Sequence, residues 1–397
     1  MKKLALKSIT QNREHTGTRI RYLLELDNQD HVLEYFFYGK NCEIEWLPER
    51  FDPIAVLFLY AALLHGFDIE SNYPISQELL YLLTKQVIPQ LVACNPTIAH
   101  SISIKAPVTN EQFHGTWKGT GVSCGVDSLS TIMEYSNIAF EDYKITHLLY
   151  LKVGQHSEIK GHTAETKTAH FLTGLENATA FSKDAGLPLI VGESNYAELV
   201  DELFGASSCV PDVVFRNAGS VLILQNYFSK YYYANSYPNL SFFGMSMKDD
   251  NAKYDRWLLP NFSTESLHLY SANTNMHRIE KVVSLKDYAL SYHYLTVCWR
   301  GSKNCGWCEK CVRTMLELDV NGLLDLYRER FDLDVFCERR RDLYTYVYKH
   351  RSKNLFFEEI AQKMDEEQLM VPGVVDYLKY YCRKLRDRQF PFSNPYI

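Results

Sequence analysis

From about Gly115 to Ser246 the sequence alternates short apolar runs with helix-patterned stretches, and no other feature constrains the fold as much. The runs are "GTGVS", "ITHLLYLKV", "LPLIVGES" and "LSFFGMS"; helices are expected at Asp127–Tyr135, around Asn177–Ala185 and at Ala218–Tyr237. Apolar strands of five to nine residues separated by helices predict an α/β fold, with a parallel sheet covered on both faces. Ligands in such sheets sit beyond the carboxyl ends of the strands. That rule places Ser123, Gly154–His156, Glu193–Asn195 and Gly244–Ser246 on one rim.

At 397 residues the chain has room for two or three domains. Residues 1–107 read as an α+β N-terminal extension, a unit distinct from the alternating region. "RIRYLLEL" and "HVLEYFFYG" flank the turn sequence "DNQD" and predict a hairpin. Helices are expected at Pro53–His65 and Ile75–Ala93, then a strand in "HSISIKAP". Residues 108–297 hold the alternating core, 298–320 a cysteine-rich knot, and 321–397 a charged helical C-terminal extension whose charges read as a solvated face. A net charge of −6 does not advertise strong nucleic-acid binding. "MKKLALKSITQNREH" lacks the apolar core of a signal peptide, and Ile54–Leu64 is about half of a membrane span. A cytoplasmic protein with no membrane association is the expectation.

Four of the ten cysteines fall within fourteen residues, "CWRGSKNCGWCEKC": Cys298, Cys305, Cys308 and Cys311. Two-residue gaps let successive thiolates converge on one ion, and the upstream cysteine completes a tetrahedron. Four thiolates with no water position describe a closed, structural Zn2+ site. Arg300, Lys303, Lys310 and Arg313 would help to offset the negative charge of such a centre. A ferredoxin-type cluster has its fourth cysteine downstream and before proline, which is not the pattern here. An iron–sulfur cluster and unligated thiols are the alternatives to zinc.

The loop "SCGVDS" (Ser123, Cys124, Gly125, Val126, Asp127, Ser128) stands at a strand-to-helix junction. A helix N-terminus suits an anion, glycine admits close backbone approach, and Asp127 can cap the helix or face Mg2+ on a phosphate. A well-capped helix after a tight turn explains the same six residues. No lysine follows the glycine, so the loop is not a Walker loop.

The loop resembles the SGGxDS signature of the PP-loop ATP pyrophosphatases, which split ATP between its α and β phosphates. Cys124 replaces the first glycine of that signature. Followed about 170 residues later by a four-cysteine knot, it resembles the 7-cyano-7-deazaguanine synthase family. "VGQHSE", "VVFRNAGSVLIL" and "NAKYDRW" are similar, in order, to further family segments. The likeness spans about Gly119–Thr314, with a PP-loop core, a zinc knot and extra terminal regions.

The resemblance implies adenylation of a carboxylate, 7-carboxy-7-deazaguanine in that family, with release of pyrophosphate and then displacement of AMP by an amine. It places ATP and Mg2+ at Ser123–Ser128 with Gln155 and His156, and catalytic roles at Asp127, Arg216 and Lys281. The deazaguanine-type substrate would meet Arg216, Asn217, Tyr254 and Asp255. By themselves, Arg216 reads equally well as a helix-start ion pair, His156 as an incidental loop histidine, and Lys281 as a surface lysine. The product would be an amide, a nitrile or an acyl group passed to an amine on a protein acceptor. Relatives of this kind occur in bacterial anti-phage systems, so the reading has room for a defence-system partner or a homo-oligomer. Two other readings stand beside it: a catalytically inactive ATP-binding sensor or assembly subunit, and a tRNA thiolase recruiting Cys124 or Cys209.

Overall fold

The computed structural model describes residues 2–154, 163–205, 212–238, 246–248, 250–301, 303–387 and 390–392. The strands among them are β1 (Lys2–Glu14), β2 (Gly17–Leu26), β3 (Gln29–Lys40), β4 (Phe67–Ser71), β5 (Ile75–Ser76), β6 (Ile104–Lys105), β7 (Val108–Thr109), β8 (Trp117–Gly121), β9 (His147–Lys152), β10 (Leu189–Ser194), β11 (Phe228–Ala234) and β12 (His268–Ala272). Ten of these strands form one sheet, in the order β12-β11-β8-β9-β10-β3-β2-β1-β4-β6, while β5 and β7 pair separately. The chain divides into two compact units that interleave in sequence. The first holds Met1–Val122, Glu134–His162 and Gly186–Asn275; the second holds Ser123–Met133, Thr163–Ala185 and Met276–Ile397. Residues 1–107 thus lie in the first unit, 298–397 in the second, and 108–297 are shared between them.

The first unit contains the whole sheet, which is mostly parallel and α/β in character, as the alternating pattern predicts. β8, β9, β10, β11 and β12 run parallel to their neighbours within this block. Leu148, Leu149, Ile190, Val191 and Tyr232 give them buried side chains at 0–1% exposure. The chain enters at β8 in the middle, moves outward through β9 and β10, then returns to β11 and β12 on the other side. The order therefore reverses between β8 and β11, the switch point where open α/β sheets bind ligands.

One expected element is wrong. The helix expected at Ala218–Tyr237 is a helix only over Val213–Leu222, and Phe228–Ala234 is strand β11. Three consecutive tyrosines after Phe228 favour a pleated surface, and β11 is central, bonded to both β12 and β8. β12 has no counterpart among the expected strands. "LSFFGMS" lies mostly outside the described residues.

The N-terminal residues continue this sheet. β2 and β3 form the expected hairpin, with Leu26 opposite Gln29. Asp27 and Asn28 between them take φ of 53° and 62°. Two left-handed residues make the turn whose twist matches a two-residue hairpin, and Asp and Asn tolerate that region. β3 then pairs antiparallel with β10, Tyr38 opposite Val191, so the hairpin is an extension of the parallel block. The helical stretches at Pro53–His65 and Ile75–Ala93 form as Asp52–Leu57, Leu59–His65 and a run from Gln77 to Cys94 that includes a π turn at Leu83–Val87. Of "HSISIKAP", Ile104–Lys105 forms a strand.

The second unit is helical. Its helices include Val126–Asn137, in part, and Ala164–Ala185, Arg278–Ser284, Glu309–Val320, Leu333–His350, Leu355–Glu366 and Val374–Arg386. Met315, Leu316, Leu343, Tyr344, Ile360, Met364 and Tyr380 fill its interior. Asp319 accepts from Arg340 and from the Tyr344 hydroxyl, each at 2.7 Å, and ties two of these helices together. Among the described residues no helix is long and apolar enough to cross a membrane.

Candidate functional site

Immediately after β8 the chain enters the second unit at Ser123. Cys124 takes φ of 55°, the left-handed region that glycine occupies without cost. The chain therefore makes the turn that the replaced glycine would make, with a side chain attached. Two contacts support it: the Cys124 carbonyl accepts from the Thr296 N–H at 2.8 Å, and the thiol is buried at 1% exposure. The Ser128 hydroxyl accepts from the Ser123 N–H at 3.2 Å, and the Ser123 hydroxyl accepts from the Gly125 N–H at 3.3 Å. Gly125 has ordinary room, since a Cβ there would meet Ser123 Oγ at 3.4 Å and the Thr296 carbonyl at 3.8 Å. Its carbonyl takes the first helical bond, from Leu129 N–H at 2.9 Å, and buried Val126 anchors the helix start. Burial pushes the Cys124 thiol up to about 12, against a small opposing pull from Arg330. A thiol held protonated in this way is no nucleophile at neutral pH.

Asp127, in the first turn, is where charge gathers. Its carboxylate is 3.0 Å from the Arg278 guanidinium and 3.4 Å from the Lys281 ammonium. Burial raises its pKa, but Arg278, Lys281 and Arg313 outweigh burial and hold it below the ordinary carboxylate range. Lys281 is fully buried, so the surface-lysine reading is overturned. The helix Arg278–Ser284 turns Arg278 and Lys281, three residues apart, onto one face.

Behind this pair stands the helix Glu309–Val320. Arg278 also donates to Glu317 at 3.3 Å and to the Thr314 hydroxyl at 3.4 Å. Arg313 lies 3.7 Å from Glu317 and rests on the Phe356 ring at 4.1 Å. Burial, then the like charge of Arg278, lowers the Arg313 pKa, whereas burial raises that of Glu317 against the pull of both arginines. Lys310 is solvent-exposed one turn before Arg313 on the same helix. The cluster is thus built from Arg278, Lys281, Lys310 and Arg313 around the carboxylates of Asp127 and Glu317. Arg278, Thr314 and Glu317 were missed in the sequence; the three-residue spacing of Arg278 and Lys281 was the available signal. Glu359 is engaged separately, at 2.9 Å from His277 Nδ1 and 3.2 Å from the Ile279 N–H. It lines a cavity of about 500 Å³ with His277, Glu280 and Glu366.

The same helix carries the cysteine knot. Cys308 is the residue just before its first turn and Cys311 lies in that turn. Cys298 and Cys308 bring their sulfurs to 3.9 Å, as do Cys305 and Cys311, and all four sulfurs lie within 4.8 Å of one another. A tetrahedron with Zn–S bonds of about 2.3 Å needs sulfurs roughly 3.8 Å apart, so the donor set fits the ion in number, chemistry and spacing. Gly306, at φ 77°, makes the turn between Cys305 and Cys308, and the Cys308 N–H donates to the Cys305 sulfur at 3.3 Å. These four cysteines can hold a metal such as zinc. Arg300 stacks on Trp307 at 4.3 Å and Trp299 at 5.1 Å.

Arg216, Asn217, Tyr254 and Asp255 lie in the first unit. Arg216 is buried at 2% exposure and paired with Asp212, the residue before its helix, at 3.2 Å, which is the helix-start ion pair. Burial raises the Asp212 pKa, with Arg216 and Tyr196 opposing it. Asn217 donates to the Val213 carbonyl at 2.7 Å, and Tyr254 is buried. Asp255 is fully buried and accepts from Asn235 and Ser271, each at 2.7 Å. Tyr233, the penultimate residue of β11, feels the charges of both Asp255 and Arg216. Burial and then Asp255 push its hydroxyl well up, and Arg216 pulls it down. Gln155 and His156, like Cys209, lie outside the described residues. Compared with known proteins, the chain matches no family model, no curated protein and no solved structure.

Proposed function

We propose that the chain is a PP-loop ligase, similar to 7-cyano-7-deazaguanine synthase, that cleaves ATP to AMP and pyrophosphate to activate a carboxylate. The observation that carries this reading is the charge cluster at Asp127. Two buried cations, Arg278 and Lys281, converge on the first turn of the helix that comes after a left-handed turn at Cys124. Arg313 and Lys310 add positive charge from a second helix. A departing pyrophosphate needs such pre-positioned cations and backbone donors, because phosphoryl-type transfer is catalysed mainly by positioning and electrostatics.

The substrate carboxylate attacks the α-phosphorus of ATP, the bond to the β-phosphate oxygen breaks, and pyrophosphate leaves with its electron pair. An amine then adds to the acyl carbon, loses a proton and expels AMP. Ser123–Ser128, with Arg278 and Lys281, would hold the pyrophosphate, and Asp127 would be the carboxylate that takes Mg2+, an ion that would offset the phosphate charge. Arg216, Tyr254 and Asp255 are assigned to the deazaguanine-type substrate. Zinc at the four cysteines is structural. The acceptor is ammonia or an amine on a partner protein, and the setting is anti-phage defence.

The test incubates the full chain with ATP, Mg2+ and 7-carboxy-7-deazaguanine. AMP and pyrophosphate in equal amounts are expected, and Lys281→Met should lower their formation by about a hundredfold. ATP bound but left intact would make the chain a sensor. The thiolase reading finds no support at Cys124, whose thiol is buried and held protonated.

A further inference from the structure

The last helix, Val374–Arg386, is amphipathic in an unusual sense, because its apolar side faces outward. Val374, Val375, Leu378, Tyr381 and Leu385 are 76%, 60%, 61%, 47% and 86% exposed. They are five of the fifteen large apolar side chains that stand exposed among the described residues, concentrated on thirteen residues of chain. The opposite side holds the helix to its own unit. Tyr380 is fully buried, Asp376 accepts from Arg341 at 2.6 and 2.8 Å, and Arg383 pairs with Asp342. Lys349 lies over the Tyr381 ring at 4.3 Å. The helix is therefore anchored, and the apolar stripe is not a face waiting to fold inward.

Two features identify what fits the stripe. Val374, Leu378, Tyr381 and Leu385 are spaced four, three and four residues apart, the a/d alternation of a coiled-coil seam. Val375 broadens the face only at its first turn; beyond it Leu378, Tyr381 and Leu385 alone continue the exposed row, a seam narrower than the apolar face of a helix that lies in a lipid surface. At about 1.5 Å per residue it runs roughly 16 Å, about one and a half heptads of contact. The flanks are basic: Lys379, Lys384 and Arg386 border it, and the helix's one carboxylate, Asp376, is tied to Arg341. This sign runs against the chain's net charge of −6. A second copy would bring like charges together along the seam.

We propose that Val374–Arg386 docks an acidic amphipathic helix of a partner protein, with Leu or Ile along its own seam and Glu beside it. The apolar seam supplies the contact, and the Lys and Arg flanks select charge and orientation. This inference is independent of the reading of the loop site.

The test uses the full chain and a labelled three-heptad peptide with Leu at its a and d positions and Glu at e and g, monitored by fluorescence anisotropy. The control peptide carries Lys at e and g. The acidic peptide should bind with a Kd of about micromolar order and the control should not. Leu378→Asp combined with Leu385→Asp should weaken binding at least about tenfold while leaving the melting temperature unchanged, since both side chains are exposed. Failure of the acidic peptide to saturate, equal binding of both peptides, or binding indifferent to the double variant would overturn the proposal. So would either of two results without acidic-peptide binding. One is co-sedimentation with phosphatidylserine vesicles that the variant abolishes; the other is a concentration-dependent dimer that it abolishes.

Discussion

Cys124 shows how a single side chain decides whether a loop keeps its shape. Its left-handed backbone costs an L-residue about 1–2 kcal/mol relative to glycine. Burying its small side chain returns about 1 kcal/mol. Cys124→Gly should therefore change stability by no more than about 1 kcal/mol and keep or raise adenylation. Cys124→Val, β-branched at a positive φ, should lower stability by about 2 kcal/mol. Thermal melting of both variants beside pyrophosphate release measures this pair of effects. Loss of activity in Cys124→Gly at unchanged stability would require a chemical role for the thiol, which its elevated pKa of about 12 opposes. At Lys281 the same scale reverses an expectation. Sequence position makes it a surface lysine, but only the fold shows that it is buried against Asp127, 154 residues away.

Among the elements, the helix Glu309–Val320 does two things at once. Its N-terminal end presents Cys308 and Cys311 to the cysteine knot, and its next turns present Thr314 and Glu317 to Arg278 and set Arg313 beside Glu317. A metal held there would pin the N-terminus of this helix and so set the position of Arg313 and of the groups that hold Arg278. Stripping the metal with a chelator should weaken pyrophosphate binding, read by calorimetry, by roughly tenfold, or about 1.4 kcal/mol, and re-addition of Zn2+ should restore it. The last helix offers a pH test. Hydrogen bonds from Arg341 and then from the Gly373 N–H lower the Asp376 pKa to about 2. A depressed carboxylate stabilises the fold in full above its unfolded pKa of about 4 and loses that contribution as pH falls through 2. Amide protection over Val374–Arg386, with the intrinsic exchange rate divided out, should therefore fall as pH drops from about 4 to about 2, and Arg341→Met should remove most of that dependence.

At the scale of the molecule, the C-terminal residues are part of the second unit's interior. Phe356 lies under Arg313, Glu359 fixes His277 and Ile279, and Leu343, Tyr344, Ile360, Met364 and Tyr380 are buried. Each such side chain contributes about 1.5–3 kcal/mol on burial, so together they are comparable with the roughly 5–15 kcal/mol that holds a domain folded. A chain cut after Val320 should thus be insoluble or lack protected amides in the remaining second unit. A soluble, cooperatively melting fragment would show that those residues are dispensable.

Local order carries what the sequence determined by itself. The alternation of apolar runs predicts the parallel strands, "DNQD" predicts the hairpin turn, and the cysteine spacing predicts a four-thiol centre, because each depends on residues within a few turns of one another. The run "YFSKYYYAN" misleads, since aromatic residues after a helix continue a helical pattern as readily as they begin a strand. Only pairing with β8 and β12 makes Phe228–Ala234 a strand. Tertiary structure also decided the charge cluster. Arg278 reaches Asp127 across 151 residues and Thr314 across 36, separations that no local spacing encodes. A buried cation is stable only beside its carboxylates, and which carboxylate comes within about 3 Å is settled by how helices pack.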